Sequence, residues 1–230
     1  MLLDEIPPGM PSGTPISHSI LIRPHLHDSY FRNAVAAVDA VHGDGILPKI
    51  EAGIMLMEKH EGAFDGIAGI ESSFVIAVDP RVEAVELTAL HEIGHVIDFC
   101  ALGRGRRYQS AKSQEMQRWR SQVQKSKSYK TLANNRGYLS AKIELPDTRT
   151  VEISLNQEFV EYSLEWRELF ARSYAQYIAM QSRNKTLQEQ LDQARNQPIH
   201  QIYAMQWHDA DFHDIAQALD QVLRQREWIV

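Results

Sequence analysis

The segment His91-Glu92-Ile93-Gly94-His95 constrains this chain more than any other feature, because the pattern H-E-x-x-H can act chemically only when it lies on a helix. With about 3.6 residues per turn, positions i and i+4 stand one above the other, so both imidazoles can ligate one Zn²⁺ at about 2.0–2.1 Å. Glu92 projects about 100° away around the helix, where it can reach a water on the metal without being a ligand. Zinc lowers the pKa of such a water towards about 7, and a neighbouring carboxylate can then accept its proton. From the chain's own usage of His and Glu, roughly 0.03 chance matches are expected in a sequence of this size, so coincidence explains the pattern poorly.

The surrounding residues supply the helix. Val82, Val85, Glu86, Ala89, Leu90 and Ile93 repeat at spacings of three and four, and Pro80 is placed to open the element. Gly94 costs about 1 kcal/mol of helix propensity relative to Ala, which makes sense if another backbone or a ligand must come close.

Catalytic zinc takes three protein ligands and leaves a fourth position for water, so a third ligand is required. The metzincin pattern would put Gly at 98 and His at 101, but Asp98 and Ala101 stand there, which excludes that class. A second helical pattern, from about Glu158 to Met180 with Asn156 as its cap, offers Glu158, Glu161, Glu165 and Glu168 in one stripe. Spacing alone does not choose among them. Ala171 and Ala175, at i+3 and i+7, give Glu168 a small-residue face on which another helix can pack, and this favours Glu168 over Glu165. The competing role for Glu168 is an i, i+4 pair with Arg172. Asp98 shares the face of both histidines, so it either fixes an imidazole tautomer or ends the helix as a carboxylate facing water.

The rest of the chain reads as one principal domain. Residues 1–19 carry four prolines among short polar residues and read as a flexible leader, leaving residues 20–230 as a single domain. A helix is expected from Asp28, as cap, to about His42, with Gly43 ending it. Strand and turn are expected over Gly62 to Pro80, and a last amphipathic helix over Asp211 to Arg226. A polar stretch runs from about Arg104 to Pro146 and contains the turn signal Asn134-Asn135-Arg136-Gly137.

The net charge of −6 provides no field that would attract nucleic acid, and no such partner is expected. The Arg104, Arg106, Arg107 cluster and Lys125, Lys127 and Lys130 read as solvated surface. The single cysteine, Cys100, rules out an internal disulfide and reads as a small core residue. No secretory signal or membrane-spanning segment is apparent, so a cytoplasmic location is expected, with export by another route left open. His208 and His213 are expected in surface or core roles, although both could approach the site.

His91 to Asp98, followed by Glu168-Leu169-Phe170-Ala171-Arg172, resembles the gluzincin metallopeptidases. The resemblance is to the anthrax lethal factor-like branch and to compact zincin domains of phage and mobile-element proteins, and it covers roughly Phe64 to Met180. The resemblance implies that Glu168, in an E-x-F-A element, is the third zinc ligand. It implies that Tyr162 stabilises the oxyanion, although as a residue Tyr162 could equally be core aromatic. It also implies that a peptide or protein substrate adds along an edge strand, with Ser72 to Asp79 as the candidate.

The expectation is therefore an α+β, mainly helical zincin-like domain with a short sheet bordering a zinc cleft, acting as a metallopeptidase through His91, His95 and Glu168 with Glu92 as base. Two rivals keep the same metal. One is a hydrolase of another amide or ester. The other is a zinc-containing interaction or toxin-type module of a mobile element, in which the ion only braces two helices.

Overall fold

A computed structural model describes residues 13–43, 47–58 and 61–229. The fold is a mixed α+β arrangement, about half helical, with a four-stranded mixed sheet and a separate two-stranded hairpin. Residues 1–12 of the expected leader lie outside the described residues. The packed chain begins earlier than its proline content suggests: Ile16–His18 form a 3-10 turn and Ile16 is fully buried. Pro15 holds the extended conformation that feeds an apolar side chain into the core.

Strand β1 (Ile20–Ile22) leads through helix α1 (Asp28–Asp39) to strand β2 (Ile50–Ile54). Helix α1 stops three residues short of His42, and Asp28 is its first residue while His27 takes the cap position. Val41 and His42 continue as a buried turn. Strands β3 (Gly62–Asp65) and β4 (Val75–Val78) complete the sheet in the order β1-β2-β4-β3, with β3 antiparallel to β4 and the other pairs parallel.

This topology corrects the choice of edge strand. Ser72 and Ser73 lie in a 3-10 turn, and β4 is paired on both sides. Ile76, Ala77 and Val78 are all buried, as in an interior strand covered on both faces. The edge that faces the motif helix is β3, which consists of a glycine, an alanine, Phe64 and an aspartate.

The motif helix α2 (Val85–Val96) starts five residues after Pro80. Asp79 organises the intervening turn: it accepts from the Met57 amide at 2.8 Å and the Arg81 amide at 2.9 Å, and it pairs with the Arg81 guanidinium. That guanidinium holds the Asp79 carboxyl well below the usual carboxylate range. Beyond Val96 the chain winds on as a π-helix over Ile97–Leu102.

The polar stretch after it is largely regular. It holds α3 (Gln117–Lys125), α4 (Lys127–Asn134) and the hairpin β5 (Ser140–Glu144) with β6 (Thr150–Ser154). The single helix expected from Glu158 to Met180 is two: α5 (Gln157–Ser163), capped by Asn156 as anticipated, and α6 (Trp166–Gln181). Arg172 stabilises the break. Its buried guanidinium donates to the Ser163 carbonyl, one of the acceptors left over at the end of α5, and its Nε donates to the Glu168 carbonyl at 3.1 Å. Helices α7 (Lys185–Asn196) and α8 (Asp209–Gln225) close the fold.

Every residue of α6 from Glu168 to Ala179 is buried, so this helix lies inside the molecule. Its polar members are satisfied in place. Ser173 donates to the Leu169 carbonyl at 2.6 Å, and Gln176 bonds both the carbonyl and the amide of Trp207. Cys100 is buried in the core, and no described helix is long and apolar enough to cross a membrane.

Candidate metal centre

Helix α2 presents His91 and His95 on one face, and α6 crosses that face. The crossing depends on small residues. A Cβ on Gly94 would lie 2.8 Å from the Ala171 Cα and 3.0 Å from the Ala171 carbonyl oxygen, so only glycine lets the two backbones approach this closely. Both sequence features thus meet at one contact: Gly94 admits another backbone, and Ala171 supplies it.

The approach carries Glu168 to the histidines. His91 Nε2 lies 3.2 Å from Glu168 Oε2, His95 Nε2 lies 3.4 Å from Glu168 Oε1, and the two Nε2 atoms are 3.1 Å apart. Ligand atoms arranged tetrahedrally at about 2.0–2.1 Å from one ion are separated by about 3.3–3.4 Å, so the three donors fit such an ion. His91, His95 and Glu168 are the one such triad among the described residues. Of the other three glutamates considered, Glu158 is on α5 and outside the triad, Glu161 pairs with Arg136 at the surface, and Glu165 stands just before α6, where its side chain pairs with Arg167. Because the helix breaks between them, the four acids do not form the single stripe that their spacing implies.

The electrostatics match a site that needs one strong anionic ligand. Burial pushes the Glu168 carboxyl up, but its hydrogen bonds with His91 and His95 and their charges outweigh this and hold it well below the ordinary range. Burial lowers the His95 pKa, but the hydrogen bond and charge of Glu168, with the charges of Glu92 and Asp98, together outweigh it, so His95 sits above the usual histidine value. Glu92 is buried and is raised chiefly by desolvation, against the pull of the nearby histidines. The backbone of Phe64 hydrogen-bonds to it. Strand β3 presses on the same carboxylate, for a Cβ on Gly62 would come within 2.7 Å of Glu92 Oε1.

Asp98 takes neither of the roles open to it in the sequence. It is fully buried and accepts from the Gln109 amide at 2.7 Å, the Ser110 amide at 2.8 Å and the Ser110 hydroxyl. It therefore anchors the loop after the π-helix, and His95 Nδ1 is left without a protein partner among the described residues. This loop brings in a residue that the sequence reading missed. The Tyr108 ring packs edge-on against His95, with centroids 5.9 Å apart, and the Arg167 guanidinium lies over the ring, 5.8 Å from its centroid. Tyr108 stands in a Gly- and Arg-rich segment without periodicity, so no local signal marked it.

The Tyr162 hydroxyl hydrogen-bonds to Glu168. It is 41% exposed, which sets it at the mouth of the site rather than in the core. Burial raises both phenols, Tyr108 to about 12 and Tyr162 further, so both stay protonated near neutrality and can donate hydrogen bonds. His208 is exposed beside His200, and His213 bonds to Gln217, so neither joins the centre.

Comparison of the chain with protein-family models, with curated proteins and with solved structures finds no match.

Proposed function

We propose that this chain is a zinc-dependent hydrolase that cleaves peptide bonds. The observation that carries the reading is the convergence of His91, His95 and Glu168 from two helices, with the buried Glu92 between that triad and the edge strand β3. Two imidazoles and a carboxylate are a donor set suited to zinc. Three protein ligands among the described residues also favour a catalytic ion over a structural one, which is usually closed by four. Zinc held there supplies Lewis-acid polarisation of the substrate carbonyl and acidifies a water molecule.

The side chains of this chain do the remaining work. Glu92, with its raised pKa, accepts a proton from the attacking water and delivers it to the leaving amine nitrogen. Tyr162, protonated and at the mouth of the site, donates a hydrogen bond to the carbonyl oxygen as negative charge develops on it. Strand β3 has one side paired to β4, and its other side is the place where an extended peptide adds as a further strand and passes Glu92.

The test is Glu92→Gln assayed against a broad peptide library. The variant should keep its zinc and lose hydrolysis by about 10²–10⁴-fold, the usual contribution of a general acid–base group. Undiminished cleavage by the variant overturns the mechanism. Wild type that binds zinc but leaves every peptide intact overturns the peptidase reading in favour of a brace between α2 and α6 or of another amide or ester as substrate.

A further inference from the structure

On the chain side that follows the π-helix lies a cavity of about 810 Å³, within the range of about 300–1,000 Å³ that small-molecule sites occupy. Its lining includes Arg104, Arg106, Arg107 and Arg226, against one carboxylate, Glu115. This is a marked local excess of positive charge in a chain whose net charge is −6. Arg226 forms a two-pronged pair with Glu115 at 2.7 and 2.8 Å, whereas Arg104, Arg106 and Arg107 have no ion-pair partner among the described residues.

The loop that carries these arginines is tightly wound. Arg104 adopts a left-handed conformation at φ 54°, and a side chain on Gly103 would collide with the Arg107 carbonyl. Three like charges on so short a turn give a local positive field that would attract an anion. Ser113, which also lines the cavity, has a buried hydroxyl oxygen with no hydrogen-bond partner among the described residues. The sequence reading of the three arginines as solvated surface holds for their exposure but misses the cavity they line.

We propose that this cavity binds a small anion made of several linked phosphoryl groups. Guanidinium forks match phosphoryl oxygens in pairs. One phosphate would leave most of the volume empty. A nucleotide fits poorly, because Leu102 is the one large apolar side chain in the lining and no aromatic ring is there to hold a base. The site does not depend on the peptidase reading, since none of its lining residues belongs to the metal triad.

Isothermal titration of the full chain with sodium tripolyphosphate, at constant ionic strength after gel filtration to remove unbound metal, and with His91→Ala as the control for heat from metal chelation, tests the proposal. Wild type should bind one equivalent. The double variant Arg106→Ala/Arg107→Ala, altered at two exposed positions, should bind at least about tenfold more weakly, given the strength of hydrogen bonds to charged groups. Glu115→Gln, which releases Arg226, should bind several-fold more tightly. Absence of binding to wild type, or equal affinity in wild type and the double variant, overturns the site. Equally tight binding of a short polyglutamate peptide overturns the phosphoryl assignment and gives the cavity to an acidic protein segment.

Discussion

Helices α2 and α6 both contribute to the triad that could hold a metal, but they do so by different means. In α2 the two imidazoles are placed by the helix itself, four residues apart on one face, so the geometry is local and follows from the turn repeat. In α6 the third member of the triad, Glu168, is 77 residues from His91, and its position depends on the close crossing of two backbones at Gly94 and Ala171. The comparison teaches that half of this centre is encoded by spacing and half by packing. Disturbing one half should leave the other intact.

Removing the ion affects the link between the halves and should have the largest effect. At free zinc about 1,000-fold above its dissociation constant, zinc stabilises the fold by about 4 kcal/mol, and EDTA should lower the melting transition accordingly. The chain should remain folded, because the Gly94–Ala171 crossing and the surrounding core do not use the ion. Unfolding at room temperature on chelation would show that packing does not position α6 by itself.

Gly94→Val strikes the crossing directly. The added side chain has no room at Ala171, so a loss of about 3 kcal/mol, at the upper end for overpacked cores, is expected in urea denaturation, together with loss of zinc. Helical content of α2 should be retained by circular dichroism. If the variant keeps normal zinc affinity, the crossing does not place Glu168.

Arg172→Met acts on α6 alone. It orphans the Ser163 carbonyl at the end of α5 and removes a bond to the Glu168 carbonyl, at a cost of about 1–3 kcal/mol. Zinc affinity should fall by about 10–100-fold, the range for residues that orient a ligand, when measured by competition with a chromophoric chelator. Unchanged affinity would mean that the break between the helices has no part in setting the ligand.

The smallest effect distinguishes Glu168 from its neighbours. Glu158→Gln and Glu161→Gln lie on α5 and should change stability by no more than about 0.5 kcal/mol, with zinc content unaltered. Loss of zinc in either would return the third ligand to the other acids of the expected stripe.

The same division explains what could be read in the sequence. His91, Glu92 and His95 were legible because a single turn of helix joins them. Gly94 and Ala171 were legible as small residues awaiting a neighbour, and the structure makes them each other's neighbour. The helix break at Leu164–Glu165 was not, because the residues on both sides keep helical spacing and its stabilising group, Arg172, acts from the following helix. Nor was the place of β4 inside the sheet, since strand order depends on pairings between distant segments. Asp98 and Tyr108 illustrate the same limit: a buried carboxylate fixes a loop whose tyrosine then flanks His95, a relation that no periodicity encodes.

The most direct test of the account is zinc content per chain by elemental analysis, on purified wild type beside His91→Ala and Glu168→Ala. One zinc per wild-type chain, and loss of it in both variants, is the result expected of a single ion shared by both helices. Zinc retained in Glu168→Ala, or absent from wild type after zinc is supplied, would contradict it.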